Sequence, residues 1–320
     1  RPIDSLTYHG RDSLYARLHF ATQADEKVML KVALSAVSIE GAKAALQTEN
    51  PDWDFEALVH KAEAEWNKEL QCIQVEGGTE QERRTFYTAL YHTMMAPALF
   101  SDPSGDYRGA RGDIHHSETP IYTTFSLWDT YRAKMPLLSI IAPERMSHFV
   151  NSMLNICDQQ QKLPVWHLWG CETNCMVGNP AIPVVADAIV KRIPNVDYER
   201  AFKAIETTTA GTKFGLDLRR EYGYIPCDLF KESVAYELEY ALADGAAYRA
   251  ALSLGKNDIA QRYLESSRSY RHLFDSIRGF MRGKDSKGNF REPFDPLHAS
   301  HRNDDYCEGN AWQYTWLVPH

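Results

Sequence analysis

The sequence predicts a mainly α-helical fold, a closed ring of helical hairpins entered after a few short strands. Three observations carry that expectation. Apolar residues recur at helical spacing through most of residues 79–276. Long polar and aromatic loops separate successive helical stretches. A chain of 320 residues can bury a large helical core beside a smaller element.

Residues 13–38 alternate between apolar and polar positions, as in Leu14-Tyr15-Ala16-Arg17-Leu18-His19-Phe20 and Val28-Met29-Leu30-Lys31-Val32-Ala33-Leu34. This period of two belongs to half-buried strands. Two or three strands do not make a stable domain alone, so they are expected to complete a sheet begun upstream. Ser38-Ile39-Glu40-Gly41 then opens a helical connector, interrupted at Pro51. Residues 54–70 form a polar helix with Phe55, Leu58, Val59, Ala62 and Trp66 near one face. Ile73-Gln74-Val75 and Gly77-Gly78 close the connector.

From residue 79 onward helices are expected over 79–97, 126–141, 144–161, 180–193, 197–210, 231–254 and 257–276. Pro143-Glu144 suits a first helical turn, and Asn257-Asp258 marks another start. The loops between them cover 101–124, 162–179, 211–228 and 279–307. Loops this long inside a compact domain commonly carry function. No repeat of fixed period is visible, which favours a toroid with a site at one mouth over a solenoid.

Composition narrows the function. Hydrophobic residues at 44% and charged residues at 24% exclude a disordered chain. A net charge of −8 and a pI near 5.9 provide no basic field for nucleic acid. No apolar run reaches the ~18 residues of a membrane span. The start, Arg1-Pro2-Ile3-Asp4, carries no signal peptide and reads as processed or trimmed. Six cysteines are too few for a dense disulfide framework. Cys171 and Cys175 could face one side of a helix, but no second Cys/His pair completes the four ligands of structural zinc. They are read as buried free thiols. Seven Trp and seventeen Tyr suit the C–H and hydroxyl faces of sugars, or equally the packing of helices.

Four segments concentrate polar and aromatic residues. In the first, Tyr122 to Arg132, Ser126 could cap a helix whose first turn carries Asp129. Asp129 could serve the helix dipole or, with Trp128 and Arg132, clamp sugar hydroxyls. The second, Pro164 to Gly178, sets Trp166, Trp169, Glu172 and Asn174 in one loop, as a plug or as a polar grip. The third runs through Tyr222-Gly223-Tyr224 to Glu232, Glu237 and Glu239. Glu232 and Glu239 fall on similar helical faces and with Asp244 could border a polar cavity, although Glu237 and Asp244 read better as a solvated face. The fourth, Tyr306-Cys307-Glu308-Gly309-Asn310-Ala311-Trp312-Gln313-Tyr314, places a carboxyl beside an indole and two amides at a helix start. Desolvation by an aromatic wall would raise Glu308 toward the range of a general acid, but helix starts also attract glutamate.

Taken in order, these segments resemble the catalytic domain of glycoside hydrolase family 92, the calcium-dependent exo-α-mannosidases. The resemblance rests on Ala36-Val37-Ser38-Ile39-Glu40-Gly41-Ala42, Phe86-Tyr87-Thr88-Ala89-Leu90-Tyr91-His92 and Phe100-Ser101-Asp102. It continues through Phe125 to Arg132, Gly170-Cys171-Glu172-Thr173-Asn174-Cys175-Met176 and Glu308 to Tyr314. It implies an N-terminal β-sandwich ending at residues 1–38, a helical connector over 39–78, and an (α/α)6 barrel over 79–320. That barrel would be incomplete on its C-terminal side, with seven or eight of its twelve helices present.

The activity so implied is inverting exo-hydrolysis of terminal α-linked mannose (EC 3.2.1.-), from α-1,2 or related linkages of N-glycans or mannans. The partner is a mannose-terminated oligosaccharide and the cofactor is Ca2+. The setting is secreted, periplasmic or on the surface of a bacterium. Glu308 takes the role of general acid. Trp128, Asp129, Arg132, Trp169, Glu172, Asn174, Asn310, Trp312 and Gln313 are the substrate-binding candidates. The general base and most calcium ligands are expected beyond residue 320, so residues 1–320 alone are expected to be inactive. A different (α/α)6 carbohydrate enzyme and a noncatalytic glycan-binding scaffold are the competing readings.

Overall fold

The computed structural model describes residues 19–300 and 302–320, and the chain divides into two compact units, 1–32 and 33–320. In the first unit, residues 19–32 form no strand; they carry a turn in which the Glu26 amide donates to the Gln23 carbonyl at 3.2 Å. The alternation at Val28 to Leu34 therefore does not become a strand here. A strand needs a neighbour for its ladder, and Val28, Met29, Leu30, Val32 and Leu34 are all exposed. Most of the Leu14 to Phe20 pattern lies outside the described residues.

The second unit begins with three helices of mostly exposed surface. Helix α1 (Ile39–Glu49) is capped by Ser38, whose hydroxyl accepts from the Gly41 amide, and α2 (Phe55–Leu70) is capped in the same way by Asp54. Helix α3 (Glu80–Met94) opens on a reciprocal capping box between Thr79 and Glu82. Trp66 of α2 meets Tyr91 of α3 edge to face at 4.5 Å.

The loop expected over 101–124 is organised into short antiparallel ribbons. Strand β1 (Ala98–Leu99) pairs with β4 (Tyr122–Thr123), and β2 (Asp106–Arg108) with β3 (Ile114–His116). Strand β5 (Phe125–Ser126) leads directly into α4 (Leu127–Thr130) and then α5 (Lys134–Ile141). The single helix expected over 126–141 is thus two. Helix α6 (Pro143–Gln160) starts with Pro143 in its first turn, as the sequence indicates.

Strand β6 (Trp166–Leu168) lies between β5 and β7 (Cys171–Glu172) in a three-stranded sheet that joins the first and second motif segments. Helix α7 (Ala181–Val190) and α10 (Ser233–Ser253) are buried nearly all round, whereas α8 (Tyr198–Thr209) and α11 (Asn257–Ser266) bury one face. Between them, α9 (Leu216–Tyr222) occupies a stretch expected to be loop. The helix expected to reach residue 276 stops at Ser266; a 3₁₀ turn over Ser269–Leu273 follows, then β8 (Phe274–Asp275) paired with β9 (Phe280–Met281). The described chain closes with α12 (Ala311–Tyr314).

Helix α10 is the axis of both main cores. Its C-terminal half, rich in alanine, packs with α5 to α8 and α11 around Phe149, Leu154, Ile182 and Phe202. Its N-terminal half packs Val234, Leu238 and Tyr240 against Ile225, Leu273, Tyr306 and Tyr314. Glu237 and Asp244 on this helix are not a solvated face. They are 0% and 4% exposed, and Arg219 of α9 bonds Glu237 at 2.9 Å and Asp244 at 2.7 Å. Ser269 and Ser266 donate to the same two carboxylates, which explains how charge persists there. Asp244 also lines a cavity of about 1530 Å³ bounded by α8, α9 and α11.

Candidate active site

The N-terminus of α10 organises the site. A helix start leaves backbone N–H groups without intrahelical partners. Here the Glu232 amide donates to the Asp304 carbonyl at 2.8 Å, and Val234 and Ala235 donate to the Asp305 carbonyl at 3.0 and 3.1 Å. The loop that ends in Glu308 is thereby docked on α10. The buried Asp305 carboxylate accepts from Arg291 at 2.9 Å and from the Ser233 hydroxyl at 3.3 Å. Burial raises the pKa of that carboxyl, and Arg291 opposes the rise.

Two tyrosines fix the next residues. Tyr306 donates to the Met281 carbonyl at 2.6 Å, and Tyr314 donates to the Cys307 carbonyl at 2.6 Å while accepting from the Cys307 amide at 3.3 Å. Glu308 follows this anchored pair, exposed to solvent and in the left-handed region at φ 49°. Asn310 and Gln313 then form a capping box: the Asn310 side chain accepts from Trp312 and Gln313, and Gln313 accepts from the Asn310 amide at 3.0 Å. Their amides shape the start of α12 rather than standing open. Trp312 is half-exposed and packs edge-on against Phe280 at 4.9 Å, so the aromatic wall expected around Glu308 does not enclose it.

The first segment reaches the same helix through Glu239. This carboxylate, 2% exposed, accepts from Trp128 Nε1 at 2.9 Å, from the Tyr131 hydroxyl at 2.7 Å and from Arg132 at 2.5 Å. Burial raises its pKa, with Arg132 and the two neutral donors pulling the other way. Trp128 and Arg132 thus meet on Glu239 rather than on Asp129, which lies exposed on the same turn and accepts from Ser126. Tyr314 is an electrostatic neighbour of Cys307, Glu239 and Glu232, which links the first and fourth segments across α10.

The second segment behaves differently from expectation. Glu172 is taken up by backbone: it accepts from the amides of Val165 at 2.8 Å, Trp166 at 3.0 Å and Asn174 at 2.7 Å. Asn174 accepts from Lys162 at 2.7 Å. Burial holds the Lys162 ammonium down to about 8, and its charge lies 4.4 Å over the Phe214 ring. These two residues build the loop, whereas Trp169 stays 59% exposed against Phe100. Cys175 supplies its carbonyl to Arg302 at 3.3 Å, and the Arg302 amide donates to Glu232 at 3.2 Å. Cys171 is exposed rather than buried.

Sequence reasoning set Glu239 with Glu232 and Asp244 at the border of a polar cavity without linking it to the first segment, and did not single out Tyr131, Tyr314 or Arg302. A signal for Glu239 was present. A charged residue inside the apolar run Leu238-Glu239-Tyr240-Ala241 must be paired if the helix is buried all round.

A family model for the glycosyl hydrolase family 92 catalytic domain matches residues 41–320. The chain belongs to glycosyl hydrolase family 92. Among solved structures, it is similar to a family 92 α-mannosidase from Bacteroides thetaiotaomicron in complex with mannoimidazole. The two are 40% identical with a TM-score of 0.85, over 89% of this chain and 38% of that one. A family 92 inverting mannosidase from the same organism matches at 33% identity and a TM-score of 0.83, over 89% of this chain and 40% of that one. An uncharacterized secreted glycosidase from Arthroderma benhamiae is 24% identical over 98% of this chain and 41% of its own length. The chain therefore spans about two-fifths of the length of these relatives.

Calcium takes six to eight oxygen ligands in most protein sites. Among the described residues no three or more His, Cys, Asp or Glu side chains cluster as metal ligands, so no carboxylate cluster there marks a calcium site. No described helix is long and apolar enough to cross a membrane.

Proposed function

We propose that this chain carries the general acid and part of the terminal-mannose pocket of an exo-acting, inverting α-mannosidase, secreted and acting on the terminal mannose of an oligosaccharide. The observation that carries the reading is the exposed Glu308 on a rigidly anchored turn, with the Trp128 to Arg132 turn tied to the same helix in a family 92 chain. On this reading residues 79–320 belong to an (α/α)6 barrel. The alternation of largely buried α7 and α10 with one-faced α8 and α11 favours a two-layered ring.

In the reaction, the Glu308 carboxyl gives its proton to the glycosidic oxygen as the bond from that oxygen to the mannose anomeric carbon breaks. Water attacks the anomeric carbon from the opposite face and loses a proton to a second carboxylate, expected from the family resemblance downstream of residue 320. Asp129, Trp128 and Arg132 hold the terminal mannose. Asp129 is the member with an exposed carboxylate able to accept from sugar hydroxyls. Trp169 and Trp312 offer exposed ring faces to the sugar. Calcium enters this reading through the family resemblance, and no step above is routed through it.

The test is release of mannose from a terminally α-mannosylated oligosaccharide by the full-length protein, with and without a calcium chelator. The reading expects release that the chelator suppresses. Absence of release from the untreated protein contradicts it.

A further inference from the structure

We infer that Glu239 is a positioning residue of this site, orienting the turn that presents Asp129 to the terminal mannose. The inference rests on the mannosidase reading above. Glu239 gathers donors from three of five consecutive residues, Trp128, Tyr131 and Arg132, and divides them between its oxygens: Trp128 and Arg132 on Oε1, Tyr131 on Oε2. These three side chains surround Asp129 in sequence. With Trp128 and Arg132 held from one side of the turn, Asp129 is left on its exposed side, bonded to Ser126.

A helix of four residues cannot fix its own direction, because it contains little more than one turn of backbone bonding. The Arg132 guanidinium also lies 4.4 Å from the Tyr131 ring, so the cation is braced by both the carboxylate and an aromatic face. The hub stands on α10, a helix buried along most of its length, and Gly178 lets the second segment approach it. A Cβ at Gly178 would lie 2.5 Å from Glu239 Cβ. Glu239 is sealed from solvent, so it acts on substrate only through the groups it holds.

The test compares Glu239→Gln with Glu237→Gln in the full-length enzyme, measuring kcat, KM and thermal midpoint. Glu237 is a buried carboxylate of the same helix, bonded to Arg219 and not to the Trp128 to Arg132 turn. Glu239→Gln is expected to lower kcat/KM about 10-fold or more, with KM raised, at a temperature where the protein is fully folded. Glu237→Gln is expected to lower the midpoint while retaining wild-type kcat and KM below it. Wild-type kinetics in folded Glu239→Gln, or equal kinetic losses in both variants, overturn the inference. If Glu239→Gln does not fold, Tyr131→Phe removes one donor from the same hub: a raised KM supports the inference and an unchanged one overturns it. An inactive wild type contradicts the mannosidase reading, whereas an active wild type with an indifferent Glu239→Gln contradicts only this inference.

Discussion

Trp128 donates its indole N–H to the Glu239 carboxylate at 2.9 Å, joining residues 111 positions apart. That bond ties a short, partly exposed turn to a helix buried along most of its length. The same helix receives the carbonyls of Asp304 and Asp305 at its N-terminus, so two motif segments take their positions from one element.

The approach of the second segment to α10 depends on Gly178. Its φ of 81° favours glycine, and an added Cβ would meet Glu239 Cβ at 2.5 Å. Gly178→Ala is expected to destabilise by about 1–3 kcal/mol through backbone strain and overpacking. Chemical denaturation of the wild type and variant measures the difference; equal midpoints and slopes contradict the expectation.

Arg219 neutralises two buried carboxylates, Glu237 and Asp244. Arg219→Met leaves both without their cation and is expected to cost about 3–5 kcal/mol. Restoring the balance with Glu237→Gln in the same chain should recover part of that loss. Additive losses in the double variant contradict the pairing.

Glu172 offers a way to separate loop building from sugar binding. Its oxygens accept three backbone amides, so Glu172→Gln turns an NH2 group toward N–H donors. A loss of activity accompanied by a lower thermal midpoint is expected. A raised KM with an unchanged midpoint would instead return Glu172 to direct contact with substrate.

His167 supplies a pH dependence. It is 3% exposed, and neither ring nitrogen has a hydrogen-bond partner among the described residues. Burial lowers its pKa below the usual 6.5, with nearby Glu172 opposing the shift. Below about pH 6.5 the unfolded chain binds a proton that the folded chain refuses, so stability falls with pH until the lower folded pKa is passed. Denaturation midpoints between pH 7.5 and 5.5 should therefore fall more steeply for the wild type than for His167→Phe. Parallel slopes contradict this.

Much of the helical frame was legible because its signals are local. The Thr79/Glu82 capping box and Pro143 mark α3 and α6 directly in the sequence. Features set by distant partners were not. Glu237 and Asp244 look like a solvated face until Arg219 is placed beside them, and α9, which carries that arginine, lies in a stretch read as loop. Asn310 and Gln313 read as open amides, but their spacing of three is also that of a capping box. The alternating residues Val28 to Leu34 carry strand character that only a neighbouring strand could realise.

The assignment of Glu308 as general acid meets its most direct test in the leaving-group dependence of Glu308→Gln in the full-length protein. Removing a proton donor should suppress cleavage strongly where the departing oxygen needs protonation and mildly where it leaves unaided. Glu308→Gln is expected to lose kcat/KM severely on an α-mannosyl oligosaccharide and much less on an activated aryl α-mannoside. Small and equal losses on both substrates contradict it.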